Sequence, residues 1–489
     1  MQTYRTRRPP RRPRSSTDWP RLVILAVFVL VGIGWAFVVT SNASLLSLVS
    51  GSSPVPSAAT STGPASPGAA SGSSAGSSGA SSSGLAGAAA SSSPSPTPRP
   101  SPTPLPTSPS AGGAVPAGFQ PVSVTFVSPL SGWVLGVGDC GTQACVAIVR
   151  TTDDGHTWQG IPAPRTTLSG VAIGGLATSA VAGVAPAGSA GAGVSGLRFA
   201  DELDGWAFGP DLWATHDGGT SWHRISIAGA SQARVVALEV SGGYAYAAVY
   251  PSGSTSTVRI ASSPVGSDAW TLSHVSIPLG AGPVPSSQLV MAGGAGWLLQ
   301  VDRAVVAGAQ IGAGGQSWSD WSPPCAQAQG PAVLGASDAS NLFAACDVGE
   351  WGGTLQGETL YASTDGGATF SPRGGTLPVQ SATWIAAADS RTIFVGGLGS
   401  EASGGAALAG SFDGGYSWRL LLATGQVPIT YVGFTTPTQG VAIAAAGPGS
   451  GDVGGTSAGS GGSTGGITGT MYMTFDGGQT WSAVSFGGS

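Results

Sequence analysis

The sequence predicts an all-β protein, a seven-bladed β-propeller preceded by one transmembrane helix and a disordered linker rich in Ser, Gly, Ala and Pro. Three observations lead there. Gly and Pro number 81 and 36 in a chain of 489 residues, far above average usage, which excludes a protein built of long helices. An eight-residue turn pattern recurs along the C-terminal three quarters at about the length of one four-stranded blade. An uncharged apolar run follows a cluster of arginines near the N-terminus, as membrane-spanning helices do.

The N-terminal elements come first. Arg5, Arg7, Arg8, Arg11, Arg12, Arg14 and Arg21 precede the apolar run Leu22–Val39, whose 18 residues would span roughly 27 Å as a helix, close to the hydrocarbon thickness of a bilayer. We assign 1–20 as a basic cytoplasmic tail and 21–41 as the helix, with the rest of the chain outside the cell membrane. A cleaved signal peptide is the competing reading, since Ser41-Asn42-Ala43 is a small-x-small cleavage pattern. Residues 42–117 are almost entirely Ser, Gly, Ala, Pro and Thr, too poor in large apolar side chains to offset the entropy of ordering, and are expected to be a disordered tether.

Charge narrows the partners. Only 8% of residues are charged, lysine is absent and the formal net charge is −5. Beyond residue 41 the balance is 11 arginines against 22 acids. A surface that acidic repels phosphate backbones, so nucleic acid is not an expected partner.

The propeller, 118–489, rests on the repeat. Five stretches read Ser/Thr-x-Asp-x-Gly-x-Ser/Thr-aromatic, centred on Asp153, Asp217, Asp365, Asp413 and Asp476 and ending in Trp158, Trp222, Phe370, Trp418 and Trp481. Two decayed copies end in Trp270 and Trp318, with Val265 and Ala313 in place of the aspartate. The seven aromatics are 48 to 64 residues apart. Such a pattern suits a tight hairpin: the carboxylate accepts from backbone N–H groups a residue or two later, Gly supplies positive φ, and the aromatic re-enters the next strand facing inward. A weaker repeat, Phe126…Gly132-Trp133, Phe199…Gly205-Trp206 and Phe434…Gly440-Val441, marks the preceding hairpin. Blades of strands A to D are therefore expected at about 121–163, 195–228, 233–277, 287–322, 331–374, 381–423 and 428–487.

This pattern resembles the Asp-box, or bacterial neuraminidase repeat, of sialidases, xyloglucanases, sortilin-type receptors and the photosystem II stability/assembly factor family. With seven blades in one propeller the chain is most similar to the last. The resemblance covers about 121–487 and implies the fold; the Asp-box is a structural turn in all these families, so it implies little about function. The sialidase entry motif Phe/Tyr-Arg-Ile-Pro is missing, and of the propeller's arginines only Arg198 and Arg234 fall on expected inner strands. Xyloglucanase-like chemistry uses acids in a cleft between two propellers, and one is present.

The five aspartates occupy one repeated position, whereas an active site needs a single asymmetric constellation, so they are expected to be structural. The four histidines, His156, His216, His223 and His274, do not cluster in sequence and show no metal spacing. No catalytic set, cofactor or metal is expected. Cys140 with Cys145, and Cys325 with Cys346, are candidate disulfides of an exported domain. In a four-stranded blade the B–C loops and D–A connections share one face, and the insertions 137–145, 250–257, 347–358, 396–407, 446–469 and 163–194 all belong to that class. Asp347, Glu350, Trp351 and Glu358 of blade 5 are the candidate contact residues there. The expected function is a non-catalytic protein-interaction or assembly scaffold for an envelope or extracellular protein; the alternative is a glycan-binding protein or sialidase-like glycoside hydrolase.

Overall fold

The computed structural model describes residues 112–139, 144–169, 193–230, 232–250, 257–279, 286–302, 304–315, 317–326, 330–347, 350–351, 354–355, 357–399, 405–425, 427–446 and 468–487. The expected cytoplasmic tail, transmembrane helix and all but the last six residues of the linker lie outside them, as does part of each long loop. Among the described residues no helix is long and apolar enough to cross a membrane.

Blade 1 comprises β1 (Ala117–Phe126), β2 (Gly132–Asp139), β3 (Ala144–Thr151) and β4 (Gln159–Ile161). Blade 2 follows with β5 (Gly196–Phe199), β6 (Asp204–Phe208), β7 (Leu212–His216) and β8 (His223–Arg224), and blade 3 with β9 (Arg234–Ser241), β10 (Tyr244–Tyr250), β11 (Thr257–Pro264) and β12 (Thr271–Pro278). Blade 4 is β13 (Ser286–Ala292), β14 (Ala295–Asp302), β15 (Ala304–Ile311) and β16 (Ser319–Trp321). Blade 5 is β17 (Ala332–Ala336), β18 (Leu342–Asp347), β21 (Glu358–Ser363) and β22 (Ser371–Thr376), with the short β19 (Glu350–Trp351) and β20 (Thr354–Leu355) inserted. Blade 6 is β23 (Val379–Ala387), β24 (Ile393–Gly399), β25 (Ala406–Ser411) and β26 (Arg419–Gly425); blade 7 is β27 (Ile429–Phe434), β28 (Gly440–Ala446), β29 (Thr468–Thr474) and β30 (Ser482–Ala483). Every blade is an antiparallel meander in chain order.

Burial follows position in the blade. Second strands such as β14 are buried along almost their whole length, while fourth strands such as β8 and β22 are mostly exposed. The reason is the packing of neighbouring sheets face to face, which covers the middle strands on both sides and leaves the outermost ones at the rim. Instead of one core there are seven clusters, each shared by two adjacent blades. The repeat aromatics sit in them: Trp158 between blades 7 and 1, Trp270 between 2 and 3, Trp318 between 3 and 4.

The first strand of each blade has an inner edge with no partner in its own sheet, and its backbone groups need acceptors and donors from elsewhere. Side chains of the preceding blade supply them. Leu197 N donates to Ser123 Oγ (3.1 Å) and Phe199 N to Thr125 Oγ1 (3.3 Å). Gln288 pairs with both backbone groups of Leu334 at 2.8 Å. Ala382 N donates to Glu358 Oε1 and Oε2 at 2.8 and 2.7 Å, and Thr383 Oγ1 donates to Ile429 O. At the seam the contact runs the other way, from the third strand of blade 7 to a first-strand side chain of blade 1: Gly469 N donates to Gln120 Oε1 at 2.8 Å.

Two expectations change. The linker's last residues belong to the propeller: Gly113 forms a β-bridge with Gly160, and β1 begins at Ala117. Their Gly/Ala composition reads as tether, but their backbone pairs at the edge of blade 1. Glu358 is not on the blade 5 loop but opens β21, 2% exposed, because a neighbouring first strand needs its carboxylate.

Candidate functional site

The turns that define the repeat have one geometry. The first Ser/Thr hydroxyl donates to Asp Oδ1 (2.7–2.8 Å) and accepts from the Gly N–H four residues on (2.8–3.0 Å). Asp Oδ1 accepts from the second Ser/Thr N–H at 2.9 Å, and Oδ2 from its hydroxyl at 2.5–2.6 Å. The carboxylate thus reaches four residues along, further than the one or two expected from a simple Asx turn. Its oxygens are occupied by their own turn in Asp153, Asp217, Asp365, Asp413 and Asp476 alike. The Ser417 hydroxyl and N–H hold the Asp413 carboxyl down at about 2, and Asp365 and Asp476 are held likewise. The residue after each aspartate also donates its N–H to a carbonyl of the A–B turn of its own blade, so both turn classes share one face and the long loops take the other.

Sequence reasoning missed the arrangement at the centre of the ring. A cavity of ≈ 120 Å³ is lined mainly by first-strand residues of blades 1, 2, 3, 4, 6 and 7, including Ser123, Arg198, Glu239, Gln288, Trp384 and Tyr431. Arg198 Nε and Nη2 bind the Glu239 carboxylate at 2.8–3.0 Å, its Nη1 donates to Leu197 O at 2.9 Å, and its guanidinium lies 5.2 Å from the Tyr431 ring centroid. Burial works against the Arg198 charge, but the Glu239 carboxylate more than offsets it and raises its pKa; burial pushes the Tyr431 hydroxyl up. Among the described residues Glu239 is the one carboxylate lining this cavity and it is paired with Arg198, whereas glycoside hydrolysis uses two acids flanking the bond. The legible signal was a charge inside an apolar first strand, Arg198 in β5 and Glu239 in β9; their meeting was not legible. Arg234, the other expected inner-strand arginine, is exposed at the start of β9 and does not line the cavity.

Of the blade 5 candidates, Asp347 ends β18 and pairs across the ladder with Glu358. Glu350 and Trp351 form β19, which pairs with β20 as a small ribbon on the loop face. Glu358 is separated from them by burial, which raises its carboxyl to about 7, the Ala382 N–H pulling the other way and Asp347 adding to the rise. A group so placed cannot touch a partner.

The histidines depart from expectation. His216 and His223 lie with ring centroids 5.6 Å apart and both face Asp268 of blade 3. Burial works against the His216 proton, but the Asp204 hydrogen bond and Asp268 outweigh it and raise its pKa. Seven residues apart in one blade and about 50 from the aspartate, they showed no spacing because the ring, not the chain, brings them together. Cys325 and Cys346 form a disulfide, Cα–Cα 5.5 Å, joining the blade 4–5 connection to β18. Cys145 is also disulfide-bonded, and Cys140 lies outside the described residues.

The BNR/Asp-box repeat family model matches residues 472–483. No curated protein matches the sequence. Among solved structures, the chain is similar to YCF48 bound to a D1 peptide, at 17% identity and TM-score 0.43 over 68% of this chain and 96% of that one. It is similar to YCF48 from Cyanidioschyzon merolae, at 13% identity and TM-score 0.44 over 75% and 98%. The GH74 enzyme of Niastella koreensis aligns at 10% identity and TM-score 0.34 over 74% and 65%. With seven meander blades and five complete turns of this type, the chain is a seven-bladed β-propeller built on the BNR/Asp-box repeat.

Proposed function

We propose that the chain is a membrane-anchored, extracytoplasmic scaffold that binds a protein partner through its loop-bearing face without catalysis. The observation that carries this is the ring's centre, where the channel cavity is ≈ 120 Å³ and its one carboxylate is tied to Arg198. Small-molecule sites usually offer roughly 300–1,000 Å³, so the channel is a poor small-molecule site, and loops on a rigid ring commonly carry recognition, with Asp347, Glu350 and Trp351 of blade 5 the leading contacts. The disulfide-bonded cysteines support an oxidising compartment, and the apolar run at 22–39 supports the anchor.

The test is cross-linking of the full chain in its native membranes, wild type against a Glu350→Ala/Trp351→Ala double variant of matched thermal stability. Loss of a specific cross-linked protein from the variant is expected; undiminished cross-linking removes blade 5 from the site. Saturable binding or cleavage of a defined oligosaccharide by the purified chain would favour the glycan reading. For the anchor, the peptide preceding Arg21 should be found in the membrane fraction; a soluble mature chain beginning near Ser44 overturns it.

A further inference from the structure

We propose that His216, His223 and Asp268 form a divalent transition-metal site, for which zinc is the probe, that joins blades 2 and 3 on the face of the short turns. Their ligand atoms all lie within 4.8 Å of one another. His223 Nε2 is 2.7 Å from Asp268 Oδ2, and His216 Nε2 is 3.4 Å from Asp268 Oδ1. Around Zn²⁺ at roughly 2.0–2.1 Å, tetrahedral ligand atoms sit about 3.4 Å apart. The His223 side chain is 50% exposed and free to swing the remaining distance.

The second observation is the orientation of His216. Its Nδ1 lies 2.5 Å from Asp204 Oδ1, which leaves Nε2 directed at Asp268. A carboxylate on the far ring nitrogen selects the tautomer and aims the lone pair in protein zinc sites. Two imidazoles and one carboxylate suit zinc and its neighbours better than calcium or magnesium, which take oxygen donors. Three protein ligands leave a fourth position for water or a partner's side chain.

The turn framework does not require these residues. His216 occupies the variable position between Thr215 and Asp217, and the corresponding residues of other turns are Thr152, Thr364, Phe412 and Phe475. Asp268 sits in the decayed turn of blade 3, where Val265 replaces the aspartate and Ser263 Oγ closes the turn on Ser267 O at 2.7 Å instead. Its carboxylate, not needed to build that turn, faces the two imidazoles. Without metal the same groups would make an ion-pair network across the blades, so the experiment must read the metal itself.

Untagged full-length chain, stripped with chelator, would be titrated with Zn²⁺ against a competing chromophoric chelator, and bound metal counted by elemental analysis. One equivalent per chain and a rise in melting temperature on Zn²⁺ addition are expected. His223→Ala and Asp268→Asn should each weaken binding at least 100-fold while melting near wild type in chelator. Asp204→Asn, acting through His216, should weaken it 10- to 100-fold. No stoichiometric binding by wild type, or binding unchanged in both His223→Ala and Asp268→Asn, overturns the proposal.

Discussion

Asp413 and Gly478 show how much of the fold is carried by single turn residues. Asp413 accepts from Ser411, Tyr416 and Ser417, and Asp413→Ala should cost about 1–2 kcal/mol in chemical denaturation, the scale of a helix cap, since the site is open to solvent. Gly478 has φ 83°, and a Cβ there would come within 2.2 Å of the buried Phe394 ring of blade 6. Gly478→Ala should therefore cost more, about 3 kcal/mol, from left-handed strain plus overpacking; a smaller loss than Asp413→Ala would refute that ranking. Glu358 acts through pH. Its carboxyl rises from 4.5 to about 7 on folding, chiefly by burial, so the folded chain binds more protons than the unfolded one between those values. Its contribution is full below 4.5 and lost as pH rises through about 7. Glu358→Gln should remove that loss, so variant minus wild-type melting temperature should grow from pH 5 to pH 8; a constant offset would show that Glu358 does not titrate there.

At the scale of the element, each intact turn also serves its neighbour. Trp133 Nε1 donates to Gly218 O of blade 2 (3.4 Å) and Trp297 Nε1 to Gly366 O of blade 5 (3.1 Å). The equivalent indole of blade 2, Trp206, faces the decayed turn of blade 3, and its Nε1 is buried without a partner. At this interface the decayed turn thus coincides with an unsatisfied donor in the adjacent blade. Both indoles are buried, so Trp297→Phe and Trp206→Phe remove similar volume, but only the first breaks a hydrogen bond. Trp297→Phe should be the more destabilising by about 1 kcal/mol in urea unfolding; equal losses would mean the indole bond contributes nothing net.

At the scale of the molecule, the ring closes without sharing a strand, since blades 1 and 7 are each continuous in sequence. Closure rests on packing and a few polar contacts. Phe486 meets Phe119 and Trp158 at 4.9 and 5.2 Å between ring centroids, and Gln439 Nε2 donates to Pro129 O at 2.8 Å. Because Phe486 is only partly buried, Phe486→Ala should cost about 2 kcal/mol, below the full-burial range. Hydrogen exchange should then accelerate first in β1–β4 and β27–β30. Uniform acceleration around the ring would show that the seam is no weaker than the other interfaces.

The chain by itself determined the class of fold, the number of blades and nearly all their limits, because the repeated turn is local chemistry. A hydroxyl, a carboxylate, a positive-φ glycine and a second hydroxyl must stand at fixed offsets to satisfy one another, and that spacing survives in plain sequence. The tertiary structure alone decided what meets across blades. Arg198 and Glu239 are 41 residues apart and Tyr431 stands nearly 200 further on, yet all three converge at the channel. Glu358 looked like a loop acid and became the acceptor for a neighbouring strand's edge. His216, His223 and Asp268 looked scattered and face one another. Such meetings depend on the rotation from one blade to the next and on each residue's distance from the axis, neither of which leaves a periodic mark on the chain.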